Sequence, residues 1–317
     1  MTDILTVTMN PALDVSASTA RIRPTSKLRC DRVQRHPGGG GINVARVLHR
    51  LGAECEAMCL LGGPTGQMLS MLLQEEGVRC IPVAIAGHTR ESFTVLDDSN
   101  AQEYRFVLPG PEIHAEESAR LMDRLACQAP PAYVVASGSL PPGVPHDLYA
   151  RIASVATAWG AKMVVDGSGP ALTEALQAGV YMVKPSLREM RELTHLPITN
   201  LKEASLAAQH WVSTQGAEIV VISLGEQGAL LVSAAGAVYA PPVPVSVISA
   251  VGAGDSFVAG MIWSLSKGDD LNLAFSYGVA AGTAALTNTG TGLSAAPDVH
   301  RLVQDVRLTV DLPEMTL

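Results

Sequence analysis

The sequence predicts an α/β fold: a mostly parallel central sheet with helices on both faces, plus a small separate β-sheet lid. Three observations predict it. Short, continuously apolar runs alternate with segments of helical period, the pattern of parallel strands buried on both faces. Two polar stretches of period two, residues 14–37 and 88–108, interrupt that alternation in the N-terminal third. The composition, 317 residues with 47% apolar and 16% charged, supports either two domains or one large α/β domain with an insertion.

The first element, Ile4–Met9, is β-branched and stops at Asn10-Pro11, a strand running into a turn. Residues 133–137, 162–166, 180–183 and 218–224 are further short apolar strands, and residues 42–51, 66–76, 145–159, 201–215 and 255–266 carry helical patterns. The two polar stretches mix Thr, Ser, Val and Arg and read as antiparallel strands with one face in water. They are expected to meet as one discontinuous sheet over the main body; two ordinary surface hairpins would give the same pattern. The expected organisation is therefore an α/β nucleotide- and substrate-binding domain from residues 1–13, 38–87 and 109–306, a lid from residues 14–37 and 88–108, and a tail, residues 307–317. The tail has no convincing period and is expected to be loosely ordered.

Lys and Arg number 22 against 30 Asp and Glu, a net charge of −8, which is the opposite of the basic excess of a nucleic-acid binder. Aromatic residues at 4% leave few platforms for stacking bases. A local cationic pocket for a small anion is still compatible with this balance. The five cysteines, Cys30, Cys55, Cys59, Cys80 and Cys127, are odd in number, lack a Cys-x-x-Cys spacing and are expected to be reduced thiols of a cytoplasmic protein. No signal peptide is expected at the N-terminus, and no run approaches the ~20 apolar residues of a membrane span. No His-Glu-x-x-His helix is present, so zinc is not expected. Neither a Gly-x-Gly-x-x-Gly fingerprint, a Gly-x-x-x-x-Gly-Lys phosphate loop nor a Gly-x-Ser-x-Gly elbow occurs.

The sharpest stretch is Val251-Gly252-Ala253-Gly254-Asp255, which opens a helix. Free amides at a helix start converge on one spot and favour an anion there. A carboxylate beside such a spot suits removal of a proton from an attacking hydroxyl. Asp255 could equally be a plain first-turn cap, and position alone does not separate the two. Gly38-Gly39-Gly40-Gly41 runs straight into Ile42-Asn43-Val44, which suggests close backbone approach rather than a flexible linker. Asp14 could accept sugar hydroxyls or be a turn residue. Lys27, Arg90 and Arg105 could hold a substrate phosphate or lie on a solvated sheet face. Glu189 could act through water on magnesium or be a helix-surface residue. Ser223 and the glycines Gly225 and Gly228 follow a strand and could border a nucleotide.

These stretches carry a family resemblance. Asn10-Pro11-Ala12-Leu13-Asp14, the tetraglycine with Ile42-Asn43, Ser137-Gly138-Ser139-Leu140-Pro141 and Val251-Gly252-Ala253-Gly254-Asp255, in that order, resemble the ribokinase-like (PfkB) sugar kinases from residue 3 to about residue 305. Within that family the chain is most similar to the minor bacterial type of 6-phosphofructokinase, through Lys27-Leu28-Arg29-Cys30, residues 102–107 and 138–144, and Pro241-Pro242-Val243. The resemblance implies a ribokinase-like three-layer sandwich with a lid, a homodimer joined through the lids, and ATP-dependent phosphorylation of a ketohexose phosphate. Fructose 6-phosphate comes first; tagatose 6-phosphate and fructose 1-phosphate are the alternatives.

By the same resemblance, Asp255 is the base, and the amides of Gly252, Ala253 and Gly254 form the anion hole. Asp14, Gly39 and Asn43 hold sugar hydroxyls, while Lys27, Arg90, Arg105 and Ser139 surround the sugar phosphate. Lys27 is also a candidate for regulation by ATP. Lys184, Ser186, Ser223, Gly225 and Gly228 line the nucleotide, with Val247, Val279 and Thr283 near adenine. Glu189 organises magnesium with ATP through water, and potassium lies near Ser249, Val251, Asn288 and Gly290. The sequence departs from the pattern at Ser186, where Asn is usual, at Ala250, where Thr is common, and at Gly292, where the nearest type carries Arg. A reading of another class, a non-catalytic sugar-phosphate sensor, conflicts with the intact Asp255. An oxidoreductase lacks its fingerprint.

Overall fold

A computed structural model describes residues 3–290 and 292–317; Met1, Thr2 and Thr291, the last inside the Asn288–Gly292 loop, lie outside the described residues. The larger sheet holds β1 (Ile4–Thr8), β4 (Cys55–Leu61), β5 (Arg79–Ala84), β8 (Tyr133–Ser137), β9 (Lys162–Asp166), β10 (Val180–Val183), β11 (Ala217–Ser223), β12 (Ala229–Ser233) and β13 (Gly236–Ala240). The smaller sheet holds β2 (Ala12–Thr19), β3 (Asp31–Gly38), β6 (Arg90–Asp97) and β7 (Gln102–Val107). One face of the large sheet is covered by α1 (Gly40–Arg50), α2 (Gly63–Glu75), α8 (Ala253–Ser266), α9 (Leu271–Leu286) and α10 (Ala296–Leu302). The other is covered by α3 (Ala115–Ala126), α4 (Leu148–Trp159), α5 (Gly169–Ala178), α6 (Leu187–Thr194) and α7 (Leu201–Ser213).

Two cores explain the unbroken apolar runs. In β4, Cys55, Ala57, Cys59 and Leu61 face one core, and Met58 and Leu60 face the other. Alternate residues thus enter opposite layers, and both layers are apolar. Each fully buried aliphatic side chain contributes about 1.5–3 kcal/mol.

The large sheet runs β13-β12-β11-β10-β9-β8-β1-β4-β5, with β12 and β13 antiparallel to their neighbours and the others parallel. From β1 the chain first builds outward through β4 and β5, then returns to build β8 on the other side. The strand order therefore reverses between β1 and β8, and the crevice beyond their carboxyl ends is where ligands of open α/β sheets bind. The segments that lead out of β1 and β8, Met9–Pro11 and Gly138–Ser139, enter that crevice.

The structure revises several expectations. The lid hairpins β2–β3 and β6–β7 are antiparallel, but they join each other through a parallel pair, β2 with β6. Between them the chain passes through α1, β4, α2 and β5 and re-enters the lid from the same end, which imposes the parallel sense. Residues 145–147 precede α4 rather than belonging to it, and α8 begins at Ala253. The helix over Leu271–Leu286, α9, carries no sequence signature because it has no apolar stripe. Ala, Gly and Val surround it, and it lies sandwiched in the core.

The tail is tied down, contrary to expectation. Thr309 and Tyr239 exchange two backbone hydrogen bonds of 2.9 Å, and Leu317 N–H donates to the Thr199 carbonyl at 2.7 Å. Gln227 donates to the Thr316 carbonyl at 2.8 Å. Leu312, Met315 and Leu317 pack against the second core. Such isolated backbone bridges need no sequence period. A chain ending at Leu308 is expected to lose about 1–3 kcal/mol of stability, read from its urea midpoint; an unchanged midpoint would show that the tail only rests on the surface.

Candidate active site

The glycine run forms one wall because nothing larger fits. A Cβ on Gly41 would stand 2.5 Å from the Thr8 hydroxyl and 2.7 Å from the Val7 carbonyl. A Cβ on Gly39, whose φ is +112°, would stand 2.8 Å from Thr8 Cγ2 and 3.0 Å from Pro11 Cα. One on Gly40 would collide with the Ser137 hydroxyl. The backbone therefore lies directly on the ends of β1 and β8 before it enters α1. Asn43, buried in the first turn of α1, donates from Nδ2 to Asp255 Oδ2 at 2.8 Å.

Asp255 lies in the first turn of α8, whose N-cap, Gly252, has a φ of +73°. Ser256 N–H closes the first turn onto the Gly252 carbonyl at 2.9 Å, and Ala253 N–H makes only a long 3.4 Å contact to Ala250. The remaining amides of this turn face the cleft, as the first N–H groups of a helix must. Lys184 adds a full charge. It is buried, its ammonium pairs with Asp166 at 3.2 Å, and it lies 3.3 Å from where a Cβ on Gly254 would be. An ammonium and a helix N-terminus thus converge on one point beside a carboxylate.

Burial pushes the Asp255 carboxyl up to about 6; Asp166 raises it further, while the Asn43 hydrogen bond and Lys184 hold it down. Burial also pushes Asp14 up to about 6, against the pull of Arg105, Arg90 and Arg46. Asp14 lies inside β2, opposite His36 and Ser92, rather than in a turn. Burial lowers the half-buried Arg90, and Asp14 partly restores it. Arg90 donates to the carbonyls of Asn10 and Leu108, both at 3.1 Å. Asn10 in turn donates to the Ser139 hydroxyl at 3.1 Å. Asp14, Arg90, Arg105, Ser139, Gly39, Asn43 and Asp255 therefore border one cleft. Lys27 does not join them: it is exposed in the loop between β2 and β3, and no hydrogen bond or ion pair among the described residues involves it.

On the other side of Lys184, Ser186 pairs with Ser223 in an isolated parallel bridge, and Ser223 N–H donates to Pro185. Gly228, with φ +89°, closes the following turn against the Ala240 carbonyl. Ile248 N–H donates to Leu286 at 2.7 Å, which lays the exposed Val247 alongside α9, the helix that carries the buried Val279 and Thr283. Glu189 caps its own helix: its Oε2 accepts from Ser186 N–H at 2.7 Å and from the Ser186 hydroxyl at 2.9 Å. Ser249 donates to Glu103 of the lid at 2.9 Å and accepts from Val251 N–H at 3.3 Å. Asn288 ties its loop by donating to the Ala284 and Leu293 carbonyls, and Arg50 donates to the Gly292 carbonyl at 2.6 Å. Gly290 packs on Ser16 of the lid.

The comparisons with known proteins agree with this geometry. The pattern of the pfkB family carbohydrate kinases matches residues 6–298. The chain belongs to that family. It is 42% identical over 302 residues to the ATP-dependent 6-phosphofructokinase isozyme 2 of Mycobacterium tuberculosis, covering 95% of this chain and 89% of that protein. It is 39% identical over 303 residues to the Escherichia coli protein of the same name, covering 95% and 98%. It is 33% identical over 307 residues to the 1-phosphofructokinase of Bacillus subtilis, covering 96% and 99%. Crystal structures of Escherichia coli phosphofructokinase-2 superpose over 96% of this chain and 99% of theirs. They include a complex with potassium (TM-score 0.91, 38% identity), a complex with fructose-6-phosphate and a tetrameric inhibited form (both TM-score 0.90, 37% identity).

In this PfkB fold, three contributors escaped the sequence reading. Asp166 ends the buried strand β9 at its carboxyl edge, a signal that was available. Asn10 reads in the sequence as part of the Asn10-Pro11 turn, yet it joins Arg90 to Ser139. Glu103, on an exposed lid strand, gave no signal at all. Because the folded-state value of Asp255 lies above the ordinary 3.8, its ionisation opposes folding, weakly above pH 4 and fully above about pH 6. Asp255→Asn is expected to raise Tm at pH 7.5 by a few degrees, about 1–3 kcal/mol, and the difference should close by pH 4. A lower Tm at pH 7.5 would contradict the strained carboxylate.

Proposed function

We propose that this kinase transfers the γ-phosphoryl group of ATP to the 1-hydroxyl of fructose 6-phosphate, giving ADP and fructose 1,6-bisphosphate. The observation that carries the reading is the convergence of Asp255, the α8 N-terminus and Lys184 on one point. Asp255 takes the proton of the sugar hydroxyl as its oxygen bonds to the γ-phosphorus. The bond from that phosphorus to the bridging oxygen breaks, and ADP leaves with the electron pair. Lys184 and the amides of Gly252, Ala253 and Gly254 offset the charge on the transferring group. Asp14 and Asn43 hold sugar hydroxyls, and Arg90 and Arg105 meet the sugar phosphate beside Ser139, with Arg105 suited to a bidentate contact. Lys27 would reach this cleft only by movement of its loop. Val247, Val279 and Thr283 offer an apolar strip for the adenine, and Ser186, Ser223, Gly225 and Gly228 border the rest of the nucleotide. The lid closes the cleft and suppresses ATP hydrolysis.

Magnesium bound with ATP would supply charge neutralisation at the phosphates, and Glu189, with Oε1 left over from its capping role, fits a contact through water. The carbonyls of Ser249, Val251, Asn288 and Gly290 fit potassium as hard oxygen donors, since no hydrogen bond among the described residues ends on them. Exposed Phe106 and Val107 of β7 and Val33 of β3 suit a homodimer through the lid. No helix among the described residues is long and apolar enough to cross a membrane, and the five free thiols suit the cytoplasm. The relatives named 1-phosphofructokinase keep fructose 1-phosphate as the second reading.

The test is ADP release with magnesium, potassium and ATP across fructose 6-phosphate, tagatose 6-phosphate, fructose 1-phosphate and fructose. The highest kcat/KM is expected for fructose 6-phosphate, with an acid limb near pH 6 as Asp255 protonates. Preference for fructose 1-phosphate would move the substrate; binding without ADP formation would make the chain a sensor. Asp255→Asn is expected to lower kcat by about 10³-fold or more, and Arg90→Ala to raise KM for the sugar phosphate by about 10–100-fold. An unchanged KM would remove Arg90 from the phosphate site.

A further inference from the structure

We infer that Arg46 and Glu76 are a positioning pair that fixes which way the Asn43 amide faces, and so keeps its donor on the catalytic carboxylate. The inference rests on the proposed role of Asp255 as base. Arg46 is fully buried, one turn beyond Asn43 on the same face of α1. Its Nε and Nη2 form a fork with Glu76, at 2.8 and 2.7 Å. Its Nη1 donates to the Pro37 carbonyl at 3.0 Å and reaches Asn43 Oδ1 at 3.5 Å. Glu76 follows α2, and its carboxylate lies 27% exposed. A buried ion pair of this kind is weak as a stabilising device, since apolar replacements of similar volume often do as well. Its position suggests another use.

An Asn amide has nearly the same shape in either of two orientations, related by exchange of its oxygen and nitrogen. Only one of them puts Nδ2 on Asp255. Arg46 is a donor with no acceptor. Turned the other way, Asn43 would set its NH₂ against the guanidinium and its oxygen against the Asp255 carboxylate. Both contacts would be repulsive. Arg46 and the Asp255 carboxylate thus select the same orientation from opposite sides of the amide, and Glu76 holds Arg46 in place. Through the Pro37 carbonyl the same guanidinium grips the end of lid strand β3, where the glycine run begins.

The charged and titratable neighbours are consistent with this. Asp255 is faced by Asn43 from α1, Asp166 from β9, Lys184 beyond β10 and Asp14 from β2. Glu76 is faced by Arg46 and Arg50 from α1 and by His36 from β3. Arg46 acts on Asp14 as well as on Asn43.

The test is a double-mutant cycle on the full chain with Arg46→Met, Asn43→Ala and the pair, together with Glu76→Ala, whose carboxylate borders solvent. Arg46→Met is expected to lower kcat by about 10–100-fold with KM for ATP within about twofold. Glu76→Ala should act in the same direction, by about 3–10-fold. The double variant should be no slower than Asn43→Ala, because the arginine acts through the amide. Side-chain amide NMR of Asn43 should show one protected orientation in the parent and exchange in Glu76→Ala. Additive losses in the cycle would overturn the proposal, as would an unperturbed Asn43 amide in Glu76→Ala. If Arg46→Met fails to fold, the Glu76→Ala amide spectrum decides. That spectrum needs no turnover, so it stands even if the parent phosphorylates none of the sugars.

Discussion

Two carboxylates share one ammonium. Asp166 and Asp255 come from different elements, each is raised by burial, and Lys184 is the cation that moderates both. Removing water from this cluster is what makes Asp255 basic enough to matter near neutral pH. The same dryness would be prohibitive without Lys184, since unpaired buried charge costs several kcal/mol. Most other features of the site serve that balance. The glycine run lets α1 reach the sheet, α1 brings the Asn43 donor, and the reversal of strand order opens the crevice in which the charges meet.

Much of this was written locally in the chain. Gly252 and the run Gly38–Gly41 announce themselves because each position has no room or the wrong φ for a side chain. Asp255 and Asn43 come with them. The buried parallel strands were readable as continuous apolar runs, since both faces meet a core. What stayed hidden depends on distant partners. Asp166 is marked by its place at a strand's carboxyl edge, but its pairing with Lys184 shows only in the fold. Glu103 sits on a fully exposed strand and matters only because Ser249 meets it. Lys27 is the converse case: a cation in the same segment as its neighbours is exposed in the loop between β2 and β3, and only the fold shows that separation.

Two of the three departures from the family pattern, Ser186 and Gly292, find local explanations, and nothing in the structure explains Ala250. Ser186 keeps the helix cap that an Asn would have made, and its hydroxyl occupies one oxygen of Glu189. Gly292 brings no side chain to its loop, and Arg50 arrives from α1 to hold its carbonyl. Arg50 also lies 3.6 Å from Glu76, so a single acidic residue anchors both arginines of α1, one reaching Asn43 and the other the Gly292 carbonyl.

The parallel pairing of β2 with β6 has a consequence for how the molecule is made. These strands lie far apart in sequence, and the chain between them is α1, β4, α2 and β5, all built into the main body. The lid sheet cannot assemble until that half of the core is in place, because the loop it closes is long and its entropy is recovered only by contacts formed last. A nascent or partly unfolded chain therefore has no enclosed cleft. Lys184 and Asp255 lie later in the chain than all four lid strands, so these charged groups of the cleft are made only after every strand of the lid.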